Sequence, residues 1–256
     1  MVAFGPRPVG SEAHAKMQRY IIGQLQLDHC EVIEDAFTAE TPLGAKAMKN
    51  IIARFPGTSG RMVVFTGHYD TKWMPEISFV GANDGGSSTG FLLEMARTLG
   101  GKRKDDVYLV WLDGEEAFRE WTATDSLYGS RHLAKKWAAD GTIRKIKALI
   151  NVDMIGDKEL EFFEDANSAA RLRNLIWQTA AELGYSRVFQ KRPGSIEDDH
   201  IPFLREGVSA VDIIDFDYGP NNSWWHNAKD TMDKLRAGSF ETVGTVLMKV
   251  LERLEQ

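Results

Sequence analysis

Val107-Tyr108-Leu109-Val110-Trp111-Leu112 runs without a break into Asp113-Gly114-Glu115-Glu116-Ala117-Phe118. An unbroken apolar run of this length reads as a strand buried on both faces, as at the centre of a parallel sheet. Carboxylates are rarely buried without a partner or a metal. Two glutamates where such a strand leaves the core therefore point to a site. Neighbouring side chains on a strand point opposite ways, so one glutamate is expected to hold a metal while the other faces a substrate. A lone Asp-Gly-Glu-Glu fits a solvated loop equally well, and its surroundings decide between the two.

On either side of this strand the chain alternates helical periodicity with short apolar runs. Ser11 to Leu27 has helical spacing, with Met17, Ile21 and Leu25 on one face. Val32 to Phe37 and Met48 to Phe55 read as strands around a turn at Thr41-Pro42-Leu43-Gly44. Met62 to Thr66, Ala148 to Val152 and Val208 to Ile214 read as further buried strands, with a loop over 67 to 83. Helices are expected at Gly90 to Leu99, from Leu127 to about Ala139, at Ala169 to Leu183 with Gly184 as its stop, and from about Ser239, where Val243, Leu247, Val250 and Leu254 share a face. Strands alternating with helices predict an α/β chain: a three-layer sandwich whose central mixed, largely parallel sheet is flanked by helices. Ligands of such sheets collect beyond the carboxyl ends of the strands.

Composition narrows the function classes. With 256 residues, 43% of them hydrophobic, and no Pro/Gly/Ser-rich linker, 1–256 is expected to form a single domain. The net charge of -6 arises from 37 acids and 31 bases spread along the chain, which argues against a nucleic-acid surface. Cys30 is the sole cysteine, so neither an intramolecular disulfide nor a thiolate zinc cluster can form. No segment approaches the ~20 apolar residues that span a bilayer, and no membrane partner is expected. Met1 to Pro8 lacks the features of a signal peptide. If a targeting segment was removed, a secreted or periplasmic location is favoured.

The chemistry-bearing residues fall at strand ends. Met62 to Thr66 leads to His68-Tyr69-Asp70, Val107 to Leu112 to Glu115-Glu116, Ala148 to Val152 to Asp153, and Val208 to Ile214, after a loop, to His226. Between the first two lies Gly81-Ala82-Asn83-Asp84-Gly85-Gly86, where glycines permit a tight backbone around an acid. Histidine and carboxylate ligands without cysteine suit a catalytic zinc with an open coordination position.

His68-Tyr69-Asp70, Gly81-Ala82-Asn83-Asp84, Glu115-Glu116, Asn151-Val152-Asp153-Met154-Ile155-Gly156 and His226 resemble the ordered signature of the zinc aminopeptidase clan, which has the phosphorylase/hydrolase-like fold. Asp113 to Phe118, Trp121, Asp125-Ser126-Leu127-Tyr128-Gly129-Ser130-Arg131-His132-Leu133-Ala134 and Asp198-Asp199-His200-Ile201-Pro202-Phe203-Leu204 are closer to animal-type glutaminyl-peptide cyclotransferases. The likeness runs from about Gly5 to the last helix, and 125 to 134 is its most specific part.

The resemblance implies zinc ligands Asp84, Glu116 and His226, a proton shuttle at Glu115, and an acidic network of Asp153 and Asp198 around it. Trp121, Trp225 and Glu197 would contact substrate. It further implies one Zn2+ and, as partners, peptide or protein N-termini beginning with Gln; a monomer is expected. Asp70 would brace His68 from behind. The competing reaction is that of a two-zinc aminopeptidase, in which His68 and Asp153 complete a second metal site bridged by Asp84, and Glu115 activates water. A dead binding module on the same scaffold would have lost ligands, and every ligand position is filled. Glu197 stands where the animal cyclases tend to have glutamine, and Asn221-Asn222-Ser223 replaces an aromatic-containing loop. Trp111, Trp137 and Trp177 are assigned to the core, with Trp224 open. His200 is expected to orient its neighbours, and His14, His29 and His132 to be structural.

Overall fold

A computed structural model describes residues 1–28 and 30–256. His29 lies outside the described residues. The elements follow as α1 (Glu12–Leu25), β1 (Glu31–Thr41), β2 (Gly44–Phe55), β3 (Met62–His68), α2 (Gly86–Thr98), β4 (Asp106–Leu112), α3 (Tyr128–Asp140), β5 (Ile146–Asp153), β6 (Phe162–Asp165), α4 (Ala170–Glu182), β7 (Phe189–Gly194), α5 (His200–Arg205), β8 (Ala210–Ile214) and α6 (Ala237–Leu254). Six strands form the main sheet in the order β1-β2-β4-β3-β5-β8. The neighbours β4-β3, β3-β5 and β5-β8 are parallel, while β1-β2 and β2-β4 are antiparallel.

Alternation along the central strands sorts the core into two layers. Val63 and Phe65 of β3 and Val107, Leu109 and Trp111 of β4 face α1, α2, α4 and α6. Met62, Val64, Val110 and Leu112 face Leu133 and Trp137 of α3 and Phe203 of α5. The helices thus cover both faces, which gives the three-layer sandwich. Each large aliphatic or aromatic side chain buried this way contributes about 1.5–3 kcal/mol relative to exposure.

Three elements differ from their sequence expectation. The helix expected from Gly90 starts at Gly86, because Ser87, Ser88 and Thr89 turn their hydroxyls back onto the carbonyls of Asn83, His68 and Gly85. The small residues that read as a loop serve close packing: a Cβ on Gly67 of β3 would lie 2.6 Å from Ser88 Cβ. The hairpin β1–β2 pairs from Glu31↔Arg54 out to Thr41↔Gly44, well beyond the apolar stretches, since its outer residues are solvated and carry no hydrophobic signal. The parallel pair β6–β7 was not expected; its strands are short, and Lys191, Arg192 and Pro193 mask the second. Among the described residues, no helix is long and apolar enough to cross a membrane.

Candidate active site and metal centre

The polar clusters meet beyond the carboxyl ends of β3, β4, β5 and β8, around a cavity of about 510 Å³. Its lining includes Asp84, Glu115, Glu116, Asp153, Asp198 and His226, with Trp121, Trp225 and Glu197 also on its wall. His68 is buried alongside, its Nε2 lying 3.2 Å from both Asp84 Oδ1 and Asp153 Oδ1.

Glu115 and Glu116 follow the end of β4 and belong to a loop, so strand alternation does not separate them. Their separation comes from Asp70, whose two carboxylate oxygens accept the backbone N–H of Glu115 at 3.2 Å and of Glu116 at 3.4 Å. Asp70 also comes within 3.5 Å of His68 Nδ1. The stretch 125 to 134 holds the rest of this loop. Asp125 accepts the N–H of Phe118, Arg119 and Glu120 and the Tyr128 hydroxyl. Leu127 N–H and Tyr128 N–H donate to the carbonyls of Glu115 and Gly114. Gly129 packs so tightly that an added Cβ would sit 2.4 Å from Asn50 Oδ1 and 2.5 Å from the Asp113 carbonyl oxygen.

Asp84 is aimed by a different device. Gly81 at φ +50 and Gly85 at φ +73 frame it, and a Cβ on Gly85 would lie 2.4 Å from the Asp70 carbonyl oxygen. The Asn83 side chain ties this turn to the segment after β5, donating to the Met154 carbonyl and accepting from Gly156 N–H. Non-glycine residues with left-handed backbones cluster here: His226 itself at φ 46, Met154 beside Asp153 at φ 48, and Leu127 at φ 52. Such strain persists only where the surroundings over-determine it.

Asp84, Glu116 and His226 each offer a ligand atom within 4.8 Å of the others, as do His68, Asp84 and Asp153. Asp84 belongs to both sets. His226 Nε2 lies 3.0 Å from Glu116 Oε1 and 3.4 Å from Asp84 Oδ2, and the second Glu116 oxygen is buried without a hydrogen-bond partner. A nitrogen and two carboxylates converging on one point, with one Glu116 oxygen that makes no hydrogen bond and has only Lys72 Nζ at 3.6 Å, fit a cation such as zinc. Burial opposes charge on His226, but Glu116 and Asp84 outweigh it and raise its pKa to about 9; a cation there takes the proton's place. Burial would also raise Asp84, yet hydrogen bonds from His226 and His68 hold it far below the usual carboxylate range.

Glu115 goes the other way. Burial lifts its carboxyl well above the usual range, helped by Glu116, Asp198 and Asp199 and opposed by His68. Burial and then Asp153 push Asp198 up to about 6. Asn151 Nδ2 donates to Asp198 Oδ2 at 2.9 Å and to Asp212 Oδ1 at 3.1 Å, and its own oxygen accepts from Thr66. These buried acids raise one another's proton affinity, Asp198 and Asp199 adding to that of Glu115.

Trp225 stacks on His226, centroids 3.9 Å apart and planes 20° off, and remains 36% exposed at the cavity mouth; Trp121 is 40% exposed. Trp111, Trp137 and Trp177 are core. Trp224 is a packing residue, edge-on to Tyr218 and covered by Lys234. His200 is fully buried with Nε2 3.2 Å from Asp165 Oδ2. His14 contacts Asp113 at 2.7 Å, and His132 stacks on Phe37.

Sequence reasoning missed Asp230 and Tyr218. The Asp230 carboxylate accepts the N–H of Asn83 and of Asp84, and the Tyr218 hydroxyl donates to it at 2.7 Å. Neither lies in a patterned stretch, so nothing local marks them. Phe216, Ile196, Ser195 and Lys72 complete the cavity wall and were missed for the same reason, while Ile214, read as the end of a strand, was not recognised as lining it.

A profile of the family described as Peptidase family M28 matches residues 50–251. The chain is 33% identical over 269 residues to the glutaminyl-peptide cyclotransferase of Drosophila melanogaster, covering 94% of this chain and 75% of that one. The crystal structure of an Acidobacteriales bacterium glutaminyl cyclase superposes with a TM-score of 0.94 at 42% identity, over 98% of this chain and 89% of that one. A Zn-dependent exopeptidase from Parabacteroides distasonis superposes with a TM-score of 0.86 at 26% identity, over 100% and 94% respectively. With its acids and histidine gathered at the sheet's carboxyl edge and these likenesses running almost end to end, the chain belongs to peptidase family M28 and, within it, to the glutaminyl-peptide cyclotransferases.

Proposed function

We propose that the chain acts as one catalytic domain that converts the N-terminal glutamine of peptides to pyroglutamate with release of ammonia, using a single zinc held by Asp84, Glu116 and His226. When bound, the zinc polarises the γ-carbonyl of the substrate glutamine as a Lewis acid. The substrate's neutral α-amine attacks that carbonyl carbon, and Glu115 takes the proton that the attacking nitrogen sheds as the ring C–N bond forms. Glu115 then gives the same proton to the γ-amide nitrogen, whose C–N bond breaks, so that ammonia leaves and the carboxylate is restored. A carboxyl with raised proton affinity suits both directions of this transfer. The observation that carries the reading is the placement of buried Glu115, with its lifted pKa, directly beside the Asp84, Glu116 and His226 cluster at the base of an aromatic-mouthed cavity. Trp225 and Trp121 stand at the mouth of that cavity, where the substrate enters.

The second reading, a two-metal aminopeptidase, is favoured by one observation, the convergence of His68, Asp84 and Asp153. Gln-initiated dipeptides offered to the zinc-loaded protein separate the two. Ammonia without free amino acid is the expected result, with one firmly bound zinc per chain by metal analysis. Free amino acid without ammonia would overturn the cyclisation reading.

A further inference from the structure

The two neighbours Glu197 and Asp198 part company at the cavity. Asp198 turns inward, 3% exposed and hydrogen-bonded to Asn151, whereas Glu197 is exposed and still lines the opening. Buried carboxylates crowd the interior, and the deep end is committed to the reacting glutamine. Glu197 is different: among the described residues no cation pairs with it. The lysine of the cavity wall, Lys72, lies 3.6 Å from Glu116, and the nearby Arg192 is engaged by Asp217. Glu197 is therefore a carboxylate at the rim that no cation pairs with among the described residues.

Aromatic surface lines the same mouth. Trp121 and Trp225 are 40% and 36% exposed, and Phe216 packs edge-on to Trp225 at 4.9 Å. Indole faces attract ammonium and guanidinium groups, and their long apolar stems cover aromatic surface while the charged head stays wet. An unpaired carboxylate and two exposed indoles around one opening are together a site for a cationic side chain. Because the N-terminal glutamine fills the deep end, the residues that follow it must pass this rim.

We infer that Glu197, with Trp121 and Trp225, makes this enzyme select peptides that carry Lys or Arg within the two residues after the N-terminal glutamine. The inference rests on the cyclisation reading and adds the substrate class to it. An acidic side chain at those positions is disfavoured, since it meets the like charge of Glu197.

The test measures ammonia release from the amides Gln-Lys-Ala, Gln-Ala-Lys, Gln-Ala-Ala, Gln-Glu-Ala and Gln-Ala-Glu with the zinc-loaded protein. The better lysine peptide is expected to exceed Gln-Ala-Ala by about fivefold in kcat/KM, through KM, with the glutamate peptides below it. The preference shrinks in about 0.5 M NaCl, as an exposed charge interaction must. Glu197→Gln narrows the lysine-to-glutamate ratio, and Glu197→Lys inverts it. Equal kcat/KM for all five peptides, or a ratio unchanged in Glu197→Gln, would overturn the preference and leave cyclisation standing. Failure of every peptide to release ammonia would instead overturn the cyclisation reading, and the preference with it.

Discussion

Asp230 accepts the backbone N–H of Asp84 at 3.1 Å, and so a residue with no metal contact of its own sets where a candidate metal ligand points. The same carboxylate accepts Asn83 N–H at 2.8 Å and the buried Tyr218 hydroxyl at 2.7 Å, which ties the segment after His226 to the turn before α2. One of the three candidate ligands, Asp84, is thereby located by a side chain more than a hundred residues further along the chain.

Asp230→Asn replaces one of the acceptor oxygens with an amide NH2 group, which donates and cannot accept. Partners of a ligand typically contribute about 10–100-fold to metal affinity. A loss of that size is expected in chelator competition, with about 1–3 kcal/mol lost in urea unfolding from the stranded buried donors.

Glu115→Gln removes the proposed proton carrier but none of the candidate ligand atoms. Turnover of Gln peptides should fall by about 10²–10⁴-fold while zinc stays bound after dialysis. Glu116→Gln should show the opposite pattern at the metal, with zinc lost on dialysis. Undiminished turnover in Glu115→Gln would remove that residue from its role.

Trp225→Ala removes both the wall of the cavity mouth and the ring stacked on His226. Aromatic pairs contribute about 0.5–1.5 kcal/mol beyond burial. The expected outcome in steady-state kinetics is a rise in KM of about tenfold or less.

Gly85→Ala tests the backbone around Asp84. With φ at +73 and only 2.4 Å between an added Cβ and the Asp70 carbonyl, the turn must shift. Overpacking and a disfavoured φ together cost about 1–3 kcal/mol. Thermal unfolding should register that loss, and metal affinity should fall with it because the shift moves Asp84.

Asp165 provides a pH test away from the metal centre. Burial would raise its pKa, but the His200 ring 3.2 Å away and hydrogen bonds from Ser168 and the Ile196 N–H hold it down at about 2. A depressed carboxylate stabilises the fold at pH values above its unfolded pKa of about 3.9, and that contribution is lost as pH falls toward the folded value. It amounts to about 2 kcal/mol. Urea unfolding at about pH 5 and about pH 3 should show a smaller acid-side loss for Asp165→Asn than for the parent protein.

The apolar runs at Met62, Val107 and Ala148 are legible as strands because they are buried on both faces and so need no polar alternation. Asp84, Glu115, Glu116, Asp153 and His226 are legible as candidates because each follows a strand or a glycine turn at the sheet's carboxyl edge. The hairpin tip at 38 to 47 is not, since it projects into solvent. The start of α2 is not either, since Gly85 to Thr89 has loop composition and becomes helix only by packing on Gly67.

Local chemistry along the chain thus sufficed for the sandwich, for the order of the acidic motifs and for the family likeness, because hydrophobic period and residue type are one-dimensional properties. The proposed division of labour between Glu115 and Glu116, which the family likeness implies, has its physical basis only in the folded molecule. Asp70 holds both backbones, His226 converges on Glu116, and burial, with Asp198 adding to it, raises Glu115. Those partners lie between 45 and 110 residues away in sequence, and both electrostatic energy and hydrogen-bond geometry depend on distance in space, which no stretch of sequence contains.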